Sequence, residues 1–93
     1  MRKKVGQLER YVYLRSLITA LLEDSPLTRE EVIEDVRHLM SVGEEELAFY
    51  TMCSWLYEDA LSITSSYYKR LVFAADELGT PESIRKLDEL IEG

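Results

Sequence analysis

The chain carries few side chains suited to covalent or metal chemistry. Its 93 residues include one histidine, His38, and one cysteine, Cys53, and no asparagine. A zinc site needs three or four ligands at set spacings, and no second His or Cys is present to build one. Cys53 follows Met52 on the side of a helix expected to face the core, so a buried structural thiol is expected rather than a nucleophile. Gly6, Gly43, Gly79 and Gly93 lie too far apart to form a phosphate-cradling loop. Carboxylates are abundant, but they fall at helix-surface spacing, and nothing sets one apart as a general acid or base. His38 sits among them as a solvated neighbour. No catalytic residue, metal site or cofactor is expected, so the chain is not read as an enzyme.

Carboxylates in such number have another use, which is to meet cations. Residues 23–93 carry seventeen acidic against six basic residues, a net −11, whereas residues 1–22 carry five basic residues against Glu9, a net +4. The formal total is −7. A concentrated negative field steers basic partners and raises their association rates. It also repels phosphates, which argues against nucleic acid as a partner.

The acids cluster. At about 100° per residue, Val32, Val36, Leu39 and Met40 take one side of a helix and Glu30, Glu31, Glu34 and Asp35 the other. Glu44, Glu45 and Glu46 follow at the next junction, and Glu58-Asp59 closes the following helix. These nine acids are the candidate partner-binding residues. Like charges at i,i+4, such as Glu30–Glu34 and Glu31–Asp35, mildly destabilise a helix. Keeping them where lysine would relieve the repulsion points to a basic partner. Tyr11, Tyr13, Tyr57 and Tyr68 read as residues at the edge of the core. Tyr50, Tyr57 and Tyr67 are the first candidates for an interface if the acids are only a solvated face.

The elements that position these residues are helical. Strand signals are weak, whereas helix punctuation recurs. A first helix is expected over about 7–23, apolar around more than half its circumference and so the most buried. Asp24-Ser25-Pro26 stops it. Thr28-Arg29-Glu30-Glu31 reads as a capping box opening the second, which Gly43 ends. The third begins at Glu44-Glu45-Glu46, buries Ala48, Met52, Trp55 and Leu56, and ends near Asp59. Thr64 caps the fourth, whose inner stripe is Tyr68, Leu71, Ala75 and Leu78 and which Gly79 ends. Thr80-Pro81 opens a fifth, with Ile84, Leu87 and Ile91 inward.

The expected fold is all-α, a compact bundle of about five amphipathic helices forming a single domain over residues 1–93. The longest apolar stretch, Tyr11 to Leu22, is too short to cross a membrane and is interrupted by Arg15. Arg2-Lys3-Lys4 has the charge of a signal-peptide start, but Glu9, Arg10 and Arg15 break the apolar region that should follow. One unpaired cysteine suits a reducing compartment. A cytoplasmic protein is expected, with no membrane partner.

Residue order in the middle of the chain resembles a known family. Gly43-Glu44-Glu45-Glu46-Leu47-Ala48-Phe49 leads into Cys53-Ser54-Trp55-Leu56-Tyr57-Glu58, followed by Ile63-Thr64 and a helix with Tyr67-Tyr68, Leu71, Ala75 and Leu78-Gly79. This pattern, over about 28–79, is similar to small helical immunity proteins of bacterial polymorphic toxin systems. These include the MafI-type proteins and relatives in contact-dependent growth inhibition. Trp55 and Phe49-Tyr50 stand where smaller or polar residues are commoner in that pattern, and the apolar first helix is outside it. The resemblance implies a protein that binds one cognate toxin domain and blocks it. A nuclease toxin with a basic cleft suits the acidic surface. The rival expectation is a helical adaptor or regulatory subunit that holds a partner helix in an apolar groove.

Overall fold

The computed structural model describes the backbone of residues 2–92 and the side chains of residues 8–92. The side chains of Arg2-Lys3-Lys4 lie outside the described residues. The fold is an all-α bundle of about five helices: α1 (Arg2–Glu23), α2 (Glu30–Ser41), α3 (Glu45–Glu58), α4 (Ser65–Leu78) and a final segment made of two 3-10 turns, Pro81–Ile84 and Leu87–Leu90. No strand occurs among the described residues.

Helix α3, not α1, is the central one. It buries Ala48, Phe49, Met52, Cys53 and Leu56, of which Phe49, Met52 and Leu56 each contribute about 1.5–3 kcal/mol when fully removed from water. Among the described side chains of α1 only Ile18, Leu21 and Leu22 are buried, while Leu8 and Val12 remain exposed. Length explains the difference. The 22 residues of α1 run about 33 Å, whereas α3 and α4, with 14 each, run about 21 Å. Its apolar circumference exceeds what its neighbours can cover.

Helix α2 turns back on α3 to form an antiparallel hairpin. Gly43 (φ +81°) makes the turn, and the Glu44 amide donates to the Leu39 carbonyl at 2.8 Å. At the hairpin's other end Arg29, just before α2, meets Asp59, just after α3. The inner stripe of α2 is Val32, Val36 and Met40 as its spacing predicts, with Leu39 half-buried. The capping box does not form. The helix starts one residue later than the box requires, so Arg29 is the N-cap and no side chain caps it. Arg29 holds an extended backbone there while its side chain reaches across to α3.

Helix α4 is capped as its sequence predicts: Thr64 Oγ1 accepts from the Tyr67 amide at 3.0 Å, and Gly79 adopts the left-handed conformation at φ +71°. A cap of this kind is worth about 1 kcal/mol. The innermost tyrosine of α4 is Tyr67 rather than Tyr68. Its hydroxyl donates to the Leu21 carbonyl, which lets a buried polar tip tie α4 to the end of α1.

The final segment departs from one continuous α-helix. Each 3-10 turn buries one apolar side chain, Ile84 at the end of the first and Leu87 at the start of the second. The chain then straightens, as Ile63 N donates to Leu90 O at 3.0 Å and Glu92 N to Ile63 O at 2.9 Å. That short bridge stops Ile91 from joining the core in a helix, and Ile91 is only half-buried.

Candidate functional site

The α2–α3 hairpin carries all nine acids singled out by the sequence. Glu30, Glu31, Glu34 and Asp35 are exposed on the outer side of α2. At the hairpin turn Glu44 and Glu46 are exposed, whereas Glu45 is half-buried and one of its carboxylate oxygens is enclosed with no partner among the described residues. At the opposite end Glu58 is exposed and Asp59 is half-buried. The nine therefore form two groups, one at the turn and one spread along α2 to the Asp59 end.

Asp59 differs from the other eight because it already holds a cation. Arg29 Nε and Nη2 donate to its two carboxylate oxygens at 2.7 and 3.1 Å, and the same guanidinium lies 5.1 Å from the centroid of the Trp55 ring. The bidentate hydrogen bonds hold the Asp59 carboxyl below its ordinary value and raise that of Arg29. Trp55 is consequently half-buried beneath Arg29 rather than enclosed in the core, which corrects the expectation from α3's periodicity.

The same three-part arrangement recurs twice. Arg10 pairs with Glu77 at 3.0 Å and lies 5.7 Å from the Tyr13 ring. Arg70 pairs with Asp24 at 3.0 Å and lies 5.5 Å from the Tyr67 ring. Every ion pair among the described residues thus has its arginine beside an aromatic ring as well as a carboxylate. The ring face is electron-rich and the carboxylate is charged, so one guanidinium satisfies both.

The outer face of α3 is where this chemistry is left open. Leu47, Tyr50, Ser54 and Tyr57 fall on one line of the helix, with Glu46 and Glu58 at its two ends. Tyr50 is 53% exposed, the most exposed aromatic side chain among the described residues, and Leu47 is 47% exposed. A helix apolar on its outer as well as its inner face invites a partner. Against this line the first 3-10 turn builds a shallow cleft of about 410 Å³ lined by Glu44, Glu46, Leu47, Tyr50 and Glu82. A second cleft shares Tyr50, Glu82 and Ser83 with the first and continues past Tyr57 to Arg85 and Lys86. There Lys86 Nζ lies 5.8 Å from the Tyr57 ring, and the Tyr57 hydroxyl donates to Glu89 at 3.3 Å. Glu82 was not among the acids singled out from sequence. Its only signal was position in the turn after Pro81, and no helical spacing links it to α3.

Of the tyrosines named as alternative interface residues, the structure brings Tyr50 and Tyr57 together on this face and removes Tyr67, which is 7% exposed. Cys53 is buried at the floor of the cleft that Tyr50 and Tyr57 line, and burial pushes its thiol well above the ordinary range, so it stays protonated. Among the described residues no group of three His, Cys, Asp or Glu side chains is arranged to hold a metal ion, and no helix is long and apolar enough to cross a membrane. No family model, curated protein or solved structure matches the chain.

Proposed function

We propose that the chain is an immunity protein: a non-catalytic helical domain that binds a basic toxin domain, of nuclease type, through the acidic surface of its α2–α3 hairpin. The observation that carries this reading is that eight of the nine hairpin acids make no ion pair among the described residues, although the ninth, Asp59, and two carboxylates elsewhere, Asp24 and Glu77, are paired with arginines. A surface that leaves its charge uncompensated repels phosphate and attracts a basic cleft. The residue order over 28–79, which resembles polymorphic-toxin immunity proteins, supports the same reading. Inhibition follows from occupying the toxin's cleft or covering its substrate path, inside the cell that makes both.

The test is survival. A basic nuclease-toxin domain, the proposed partner, is expressed in cells together with either the parent or a variant neutralised at Glu30, Glu31, Glu34, Asp35, Glu44 and Glu46. The parent protects and the folded variant fails to protect. Equal protection by both removes the acidic surface from the interaction.

A second reading, a helical adaptor for a partner helix, is favoured by one observation: Leu8, Val12 and Tyr13 lie exposed on the part of α1 that its neighbours do not cover. Binding there is apolar and insensitive to salt, which separates the two readings.

A further inference from the structure

We infer that the outer face of α1 is a contact between two copies of this chain, packed antiparallel around Val12. This contact is separate from the acidic hairpin and does not depend on a toxin. Helix α1 outruns the helices that pack on it, so its first half keeps apolar side chains that the fold does not use. Leu8 is 63% and Val12 53% exposed, and their four-residue spacing puts them on one line of the helix. Beyond Val12 the same helix carries a shallow groove of about 380 Å³, lined in part by Ser16, Thr19, Ala20 and Glu23. Bulky side chains at one end of a face and short ones at the other suit a second α1 running the opposite way. A two-fold pairing centred on Val12 brings the two Val12 side chains together and sets each Leu8 opposite the other copy's Ser16, in that groove. The short side chains at Ser16 and Ala20 let the helices approach closely.

Charge selects the occupant. Residues 1–22 carry a net +4 and residues 23–93 a net −11. The antiparallel pairing lays the basic start of each copy, Arg2-Lys3-Lys4, alongside residues 20–23 of the other, where the acidic remainder begins. Glu23 is exposed there and makes no ion pair among the described residues. Each contact occurs twice, because a two-fold interface is self-complementary. A parallel pairing would instead bring the two basic starts together. An anionic lipid surface would attract residues 2–4 but repel the −11 remainder. A second copy presents a groove where Leu8 lands and an acid where the basic start lands.

The experiment is analytical ultracentrifugation of the full chain at moderate salt over a wide range of concentration. The expected result is a monomer–dimer equilibrium. Leu8→Asp and Val12→Asp should each weaken it about tenfold or more, since each change removes two apolar contacts per dimer. Glu23→Lys should weaken it about two- to tenfold, as expected for two exposed charge pairs. Leu47→Asp, at an exposed leucine of α3, should leave it unchanged. All four side chains replaced are exposed, so circular dichroism and unfolding should match the parent. In a Cys53→Ala background, mild oxidation should link Val12→Cys chains into a disulfide dimer well before Val72→Cys chains, which carry the thiol on α4. A chain that stays monomeric overturns the contact. A dimer indifferent to Leu8→Asp and Val12→Asp, or one lost on Leu47→Asp, also overturns it by placing the contact elsewhere. Sedimentation of the monomeric chain with phosphatidylserine vesicles, lost on Val12→Asp, would give the face to a membrane and overturn it as well.

Discussion

The two ends of the α2–α3 hairpin present the same kinds of side chain in opposite states. At the Asp59 end the aromatic ring and the carboxylate share Arg29. At the Glu44 end the ring is Tyr50, the carboxylates are Glu44, Glu46 and Glu82, and none of the three makes an ion pair among the described residues. The closed end shows what the chain does with acid and aromatic residues when it uses them for itself. The contrast makes the open end informative: charge alone is a common surface property, but here unpaired charge lies beside an exposed ring and an exposed leucine.

The largest effect expected from this contrast separates the two faces of α3. Phe49 is fully buried, and Phe49→Ala should destabilise the fold by about 3–5 kcal/mol as a large-to-small core change. Tyr50→Ala, one residue on and facing outward, should change stability by no more than about 0.5 kcal/mol. Denaturant unfolding of both variants measures this. A Tyr50→Ala protein as unstable as Phe49→Ala would mean that the ring is structural and the open end is not open.

A smaller effect is expected at the closed end. Arg29→Ala removes the Asp59 partner and the cover over Trp55, so the variant should melt earlier and its tryptophan emission should move toward longer wavelength. The pH dependence follows from the sign of the Asp59 shift. Its folded-state value lies below the ordinary 3.8, chiefly through the side-chain hydrogen bonds from Arg29. The stabilisation is therefore fully present above that pH and is lost as pH falls through the depressed value. The difference in stability between parent and Arg29→Ala should shrink on acidification below 3.8. A difference that stays constant with pH would show that Arg29 acts by covering Trp55 and not through Asp59.

How far these regions were legible in the sequence follows from the range of the interactions that fix them. Local signals held: Thr64 capping α4, Gly43 and Gly79 ending helices, and the inner stripe of α2 all depend on neighbours within one turn. The acids of α2 were placed outside for the same reason. What failed was set by distant residues. Arg29 serves Asp59, thirty positions on, in place of the Thr28 cap, and so draws Trp55 toward the surface. The extent of α1's burial depended on the length of α3 and α4, which its own periodicity does not contain. The Tyr50 cleft needed Glu82, brought in by a 3-10 turn that a helix-period reading rendered as an α-helix. The nine acids were read as one surface, whereas the hairpin sorts them and gives Asp59 to Arg29.

The central claim is that the open end and the acidic outer side of α2 bind a basic protein. The most direct measurement is calorimetric affinity of the full chain for the proposed partner, a purified basic nuclease-toxin domain, at low and at moderate salt. Screening over about 10 Å at 0.1 M weakens contacts between exposed charges and leaves apolar ones nearly untouched. The account predicts tight binding that weakens steeply as salt rises, and a shallower salt dependence once Glu44, Glu46 and Glu82 are neutralised. Tight binding that ignores salt and survives those substitutions would contradict it.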